Sequence, residues 1–177
     1  MLAIRYWNNK VKTIAFIPAR AGSKRLPHKN RLLLRGKPLI TYTIEAVIES
    51  AIFDEIVIST DDAIIIDIAQ KYDGVILHER SEPLAGDGIT VTQVLISYLL
   101  ERKSIYDICG VFPPTSPFRN AYHIKEAFCL LQDGIDNVVS VTQYSFPPSF
   151  RMTLNADTSL SIPSSSPLVA GNTQTNN

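Results

Sequence analysis

The stretch Ile14-Ala15-Phe16-Ile17-Pro18-Ala19-Arg20-Ala21-Gly22-Ser23-Lys24-Arg25-Leu26-Pro27-His28-Lys29-Asn30 passes abruptly from apolar to strongly basic. Its first half reads as a strand buried on both faces, the pattern of a parallel sheet. Its second half reads as a turn. Gly22 frees the backbone there, Ser23 adds a hydroxyl donor, and Arg20, Lys24, Arg25 and Lys29 supply cations. Exposed backbone N–H groups beside cations are suited to a polyanion such as a triphosphate. The spacing is neither GxxxxGK[ST] nor GxGxxG, so the two commonest phosphate loops are excluded. A solvated basic loop without a ligand is the alternative reading of such a cluster. Position favours the ligand, because open α/β sheets bind beyond the carboxyl ends of their strands.

Outward from this stretch, the chain alternates. Apolar runs at 13–18, 56–60, 75–78, 108–112 and 137–142 read as strands. Helical patterns lie between them. Pro38 opens a helix over 39–50, Asp61 or Asp62 caps one over 63–72, Thr90 or Thr92 caps one to about Lys103, and Asn120 caps one over 121–131. Such alternation predicts a parallel sheet with right-handed crossovers. From Tyr144 the texture becomes polar and turn-rich, ending in Gly171-Asn172-Thr173-Gln174-Thr175-Asn176-Asn177. The expected organisation is a lead-in over 1–12, a nucleotide-binding α/β domain over 13–143, and a tail over 144–177 that reads as a linker, a mobile end or the start of a further part.

The 177 residues fit one domain, and 45% hydrophobic content allows a sizeable core. With 17 basic and 17 acidic residues the formal charge is zero, so no global field draws the chain to nucleic acid or a membrane. Cys109 and Cys129 stand alone, without CxxC spacing, which suits a reducing compartment. No long apolar run or signal-peptide core is present, and a cytoplasmic protein is expected. His28, His78 and His123 are dispersed, and nothing resembles a Ser-His-Asp set.

The first-strand stretch resembles the signature of the CMP-sialic acid synthetases (acylneuraminate cytidylyltransferases), P/L-A-R-x-x-S-K-x-x-x-x-K-N. Arg20, Ser23, Lys24, Lys29 and Asn30 match at the same spacing. The likeness continues through Gly36-Lys37-Pro38-Leu39-Ile40, Phe53 to Asp62, Arg80 to Ala85 with Asp87, and Pro114-Thr115-Ser116-Pro117-Phe118-Arg119. It implies a Rossmann-like nucleotide-diphospho-sugar transferase fold, mostly parallel, with helices on both faces. It also implies coupling of CTP to a nine-carbon acidic sugar with release of pyrophosphate, Mg²⁺ as cofactor, and a homodimeric full-length form.

Such chemistry is in-line attack on the α-phosphorus, so positioning and charge neutralisation dominate. The resemblance assigns Arg20, Lys24 and Lys29 to the triphosphate as the catalytic cations, with Ala19, Ser23 and Asn30 in the same nucleotide site. Arg80 falls in the family pattern R-P-x-x-L-A-x-D beside base and ribose, although Ser81 replaces the proline. Thr90 and Thr92 are candidate readers of the cytosine edge, and each also reads as a helix cap. Thr115, Ser116 and Arg119 fall in the sugar-binding turn. Family members carry Gln in that turn where this chain has Pro113, which leaves the sugar open among sialic, pseudaminic and legionaminic types. The related Kdo synthetases carry a metal-binding Asp in the same turn, where Thr115 and Ser116 stand here. The family's late Asp-x-Asp metal pair has no counterpart in these 177 residues, so weak turnover is expected of them. Asp61 and Asp87 are the remaining weak metal candidates, and for Asp61 and Asp62 helix capping is the favoured reading. A nucleotide-binding module without turnover is the other class of function consistent with the sequence.

Overall fold

A computed structural model describes residues 11–23, 26–86, 88–131, 135–143, 153–154 and 159–161. The lead-in to residue 10, Lys24, Arg25, Asp87 and most of the expected tail lie outside the described residues. The chain divides into two units, Met1–Val138 and Val139–Asn177.

In the first unit, β1 (Thr13–Pro18) lies centrally in a parallel sheet. It pairs with β4 (Glu55–Thr60) on one side and β6 (Ile108–Val111) on the other, and β4 pairs with β5 (Val75–Glu79). The order is β5-β4-β1-β6. Successive side chains of β1 point to opposite faces. Ala15 and Ile17 therefore join one core with residues of α1 (Leu39–Ser50), α2 (Ala63–Ala69) and α5 (Ala121–Cys129). Ile14 and Phe16 join the other core with Val94, Leu95 and Tyr98 of α4 (Val91–Arg102). Both faces of the sheet are thus covered, and Thr13 to Ile17 are each 3% exposed or less. Complete burial of Ile14, Phe16 or Ile17 stabilises by about 1.5–3 kcal/mol each.

Local chemistry sets the boundaries. Asp62 Oδ1 accepts from the Ile64 N–H and starts α2. Thr90 with Gln93 and Asn120 with His123 form reciprocal capping boxes that start α4 and α5. The helices α2 and α5 end two or three residues before the expected positions. Bonds from Lys71 to Ile68, Tyr72 to Ala69 and Leu131 to Phe128 tighten their last turns into the 3-10 pattern.

Between β1 and α1 the chain forms a 3-10 turn, Lys29–Arg31, and an antiparallel hairpin of β2 (Leu33–Leu34) and β3 (Lys37–Pro38). Arg35 (φ 49°) and Gly36 (φ 80°) both occupy the left-handed region, as a two-residue type I′ turn requires. A short helix α3 (Glu82–Ala85) precedes α4. In the second unit, β7 (Thr153–Leu154) pairs antiparallel with β8 (Leu160–Ser161).

The expected strand over 137–142 is not formed. Val139 and Val141 remain 69% and 92% exposed. A β-branched run gains from strand geometry by packing and pairing, and this one has no such burial.

Parallel pairing brings the carboxyl ends of β1, β4, β5 and β6 to one edge. The chain passes from β1 to β4 to β5, then crosses back to β6 on the far side of β1. Such a reversal opens a crevice between the β1 and β6 loops, where ligands of open α/β sheets bind.

Candidate active site

The backbone after β1 is tied down residue by residue. The Ala19 N–H donates to the Ser59 carbonyl at 2.8 Å, and Thr60 Oγ1 donates to the Ala19 carbonyl at 2.7 Å. The Ala21 N–H donates to Asp61 Oδ1 at 2.7 Å. Asn30 Nδ2 donates to the Arg20 carbonyl at 3.1 Å, closing the loop from its far end. Three of these four ties come from the end of β4, and Thr60 is fully buried. Residues 19–21 are thus held in place without a ligand, which lowers the entropy cost of binding there.

Several expected site residues have structural duties here. Ala19 is buried and presents only its backbone. Asn30 is 3% exposed, so its amide is a strut, with Oδ1 buried and without a hydrogen bond among the described residues. Gly22 is outside the left-handed region, and an added Cβ would meet nothing within 4 Å among the described residues. Its expected conformational role is absent from this state of the loop. Ser23 and Lys29 are partly exposed and remain available.

The cations converge from two loops. Arg20 Nη1 donates to the carbonyls of Ala85 and Gly86 at 3.3 and 3.2 Å, tying the β1 loop to the end of α3. Arg80 follows β5 and is 8% exposed. Its Nε and Nη2 both donate to Ser59 Oγ at 3.3 Å, and Nη2 also donates to the Ser59 carbonyl at 3.3 Å. Burial lowers the Arg80 pKa, Asp61 opposes that shift, and Arg20 reinforces it. Arg20, Arg80 and Asp61 therefore form one electrostatic group. Arg20 and Arg80 bring two guanidinium groups to this edge beside Asp61.

Thr90 and Thr92 separate in role. The Thr90 hydroxyl is held in its capping box, donating to Gln93 Oε1 at 2.9 Å and accepting from the Gln93 N–H at 3.2 Å. Thr92 is exposed in the first turn of α4. On the β6 side, Thr115 and Ser116 are exposed, while Arg119 folds back. Its Nη2 donates to the Pro113 carbonyl at 3.2 Å and its guanidinium stacks 5.0 Å from the Phe112 ring. Burial lowers the Arg119 pKa, and its Nε is buried without a hydrogen bond among the described residues.

The carboxylates do not form a metal set. Asp61 accepts from Ala21, and Asp62 caps α2 and faces Arg31 Nε at 3.5 Å. No group of three His, Cys, Asp or Glu side chains suited to a metal occurs among the described residues. Lys24 and Asp87 lie outside those residues. Ser59, Thr60, His78 and Arg31 were missed as site residues from sequence. Their signal was present in part, since buried Ser59 and Thr60 end an otherwise apolar strand, and buried hydroxyls require partners.

The sequence profile of the cytidylyltransferase family matches residues 14–146. The chain belongs to that family. It is 40% identical over 153 residues to the CMP-N,N'-diacetyllegionaminic acid synthase of Legionella pneumophila, covering 85% of this chain and 66% of that protein. It is 39% identical over 154 residues to the N-acylneuraminate cytidylyltransferase of Escherichia coli, covering 86% and 36% respectively. The chain thus spans about two thirds of one relative and about a third of the other. Among solved structures, CMP:2-keto-3-deoxy-manno-octonic acid synthetase complexed with CTP superposes with a TM-score of 0.57 at 27% identity, over 70% of this chain and 48% of that one. The resemblance to the CMP-sialic acid synthetases is borne out, as are the parallel sheet and its two covered faces. No helix among the described residues is long and apolar enough to cross a membrane.

Proposed function

We propose that this chain binds CTP at the carboxyl edge of its sheet and transfers the cytidylyl group to a sialic-acid-like nonulosonic acid, releasing pyrophosphate. The observation that carries this reading is the tied β1 loop with Arg20 and Arg80 converging beside it. In the proposed reaction the sugar 2-hydroxyl attacks the α-phosphorus. A new oxygen–phosphorus bond forms, the bond to the β-phosphate oxygen breaks, and pyrophosphate departs with that electron pair. Arg20 and Lys29, joined by Lys24 from the same loop, neutralise the triphosphate and the developing charge on the leaving group. Ser23 and the N–H groups of the loop bind the same oxygens. Arg80 serves base and ribose, and Thr92, whose hydroxyl is outside the capping box, is the better placed reader of the cytosine edge. Thr115 and Ser116 present hydroxyls to the sugar across the crevice.

Mg²⁺ belongs to this proposal as the companion of the triphosphate. The described carboxylates do not compose a set for it. Residues 13–143 as the nucleotide-binding domain, a cytoplasmic location and a homodimeric full-length protein are parts of the same proposal.

For the sugar, a legionaminate- or pseudaminate-type substrate is favoured over N-acylneuraminate by Pro113, a residue without a side-chain donor where the sialic acid pattern has Gln. The test combines two measurements: calorimetric titration with CTP, and pyrophosphate release with a panel of nonulosonic acids. Saturable CTP binding with release on one sugar supports the proposal. Binding without release on any sugar supports the non-catalytic module, and absence of CTP binding refutes both.

A further inference from the structure

Ser59 of β4 and His78 of β5 are register partners in the parallel sheet, and both are buried, at 0% and 9% exposure. Their side chains meet, with His78 Nδ1 3.0 Å from Ser59 Oγ. The same Oγ lies 3.3 Å from both Nε and Nη2 of Arg80. Donor chemistry resolves this arrangement. A guanidinium only donates, so Ser59 Oγ is the acceptor in both contacts with Arg80. The single hydroxyl proton then remains for His78, which must accept it at Nδ1. Imidazole accepts there only when neutral and carrying its proton on Nε2. The stack is complete in that one protonation state.

We infer that Ser59 and neutral His78 are positioning residues for Arg80, aiming its guanidinium along the sheet edge toward the nucleotide. Arg80 is itself buried and its described side-chain bonds all go to Ser59, whose hydroxyl is oriented by the imidazole below. If His78 gains a proton at Nδ1, that nitrogen becomes a donor toward Ser59 Oγ. The hydroxyl then faces donors from both sides, and two cations flank it. The groups facing His78 are Ser59 from β4, Arg80 beyond β5, and Tyr98 and Glu101 from α4, with the Tyr98 ring centroid 5.0 Å away. Burial and Arg80 lower the His78 pKa and Glu101 opposes them, which keeps the neutral form present at neutral pH. Protonation at lower pH would release Arg80.

This inference rests on the proposed role of Arg80 in CTP binding, and the experiment separates the two. Long-range proton–nitrogen correlation spectra of the full chain read the His78 tautomer directly. Calorimetry reads CTP affinity between pH 5.5 and 8 for the native chain and variants. The expected spectrum shows the Nε2–H tautomer at pH 7.5. Ser59→Ala should weaken CTP about tenfold or more, the loss of one acceptor to a charged donor, and should add nothing on top of Arg80→Ala. His78→Ala should weaken binding, whereas His78→Asn, whose amide oxygen sits near the Nδ1 position, should restore most of it. Relative to the Asn variant, the native chain should lose affinity as pH falls through the imidazole titration, a comparison that cancels the protonation of CTP itself. An Nδ1–H tautomer overturns the relay. So do native affinities in Ser59→Ala and His78→Ala when Arg80→Ala is impaired. Affinity unmoved by Arg80→Ala overturns instead the placement of Arg80 at the nucleotide, and with it the functional consequence.

Discussion

Replacing Thr60 with valine removes a hydroxyl while keeping the shape of the side chain. The hydroxyl makes two bonds, donating to the Ala19 carbonyl at 2.7 Å and accepting from the Asp62 N–H at 3.0 Å. Thr60 and Ala19 are fully buried and Asp62 is 7% exposed, so water has little access to either freed group. A buried polar group left unpaired costs about 1–3 kcal/mol, which for two groups gives about 2–6 kcal/mol. The upper part of that range requires no relaxation, and a shift of the β1 loop would trade stability for misplacement of Arg20. Thr60→Val should therefore lower the unfolding free energy in urea by about 2–4 kcal/mol and also weaken CTP binding. Thr60→Ser, which keeps both hydrogen bonds and loses one methyl, should cost about 1 kcal/mol and bind CTP normally. A valine variant as stable as the native chain, with unchanged affinity, would refute the claim that the end of β4 holds the loop in place.

Arg20→Ala and Lys29→Ala should each weaken CTP by about 1.5–3 kcal/mol in calorimetry, the range for charged hydrogen bonds. The chain should prefer CTP over UTP in competition, because polar groups arranged for one base stay unpaired with the other, and Thr92→Val should reduce that preference. Gly110→Ala should destabilise the fold by about 1–3 kcal/mol in urea, since an added Cβ would lie 2.6 Å from the Phe112 ring and 3.0 Å from Phe53.

How much could be read in advance follows from the range of each interaction. The strand 13–18 was legible because an unbroken apolar run leaves little choice but burial on both faces. Helix starts at Pro38, Asp62, Thr90 and Asn120 were legible because a cap acts within three residues of itself. The run at 137–142 misled, since a strand needs a partner that its own residues cannot announce. The hairpin around Arg35-Gly36 was equally hidden, its strands being two residues each. In the site, the residue types were legible and their duties were not. Asn30 reads as a ligand amide and serves as a loop strut, while Asp61 reads as a cap or metal ligand and holds the Ala21 N–H. Both roles depend on partners ten and forty positions away along the chain, a separation that no local pattern reports.

The claim that the carboxyl edge is a CTP site is tested most directly by titrating CTP into the isotopically labelled chain and following backbone amide shifts. Saturable shifts should concentrate in residues 19–31 and 80–92, be reversed by competing pyrophosphate and be much weakened in Arg20→Ala. Shifts confined to other regions, or none at millimolar CTP, would contradict it.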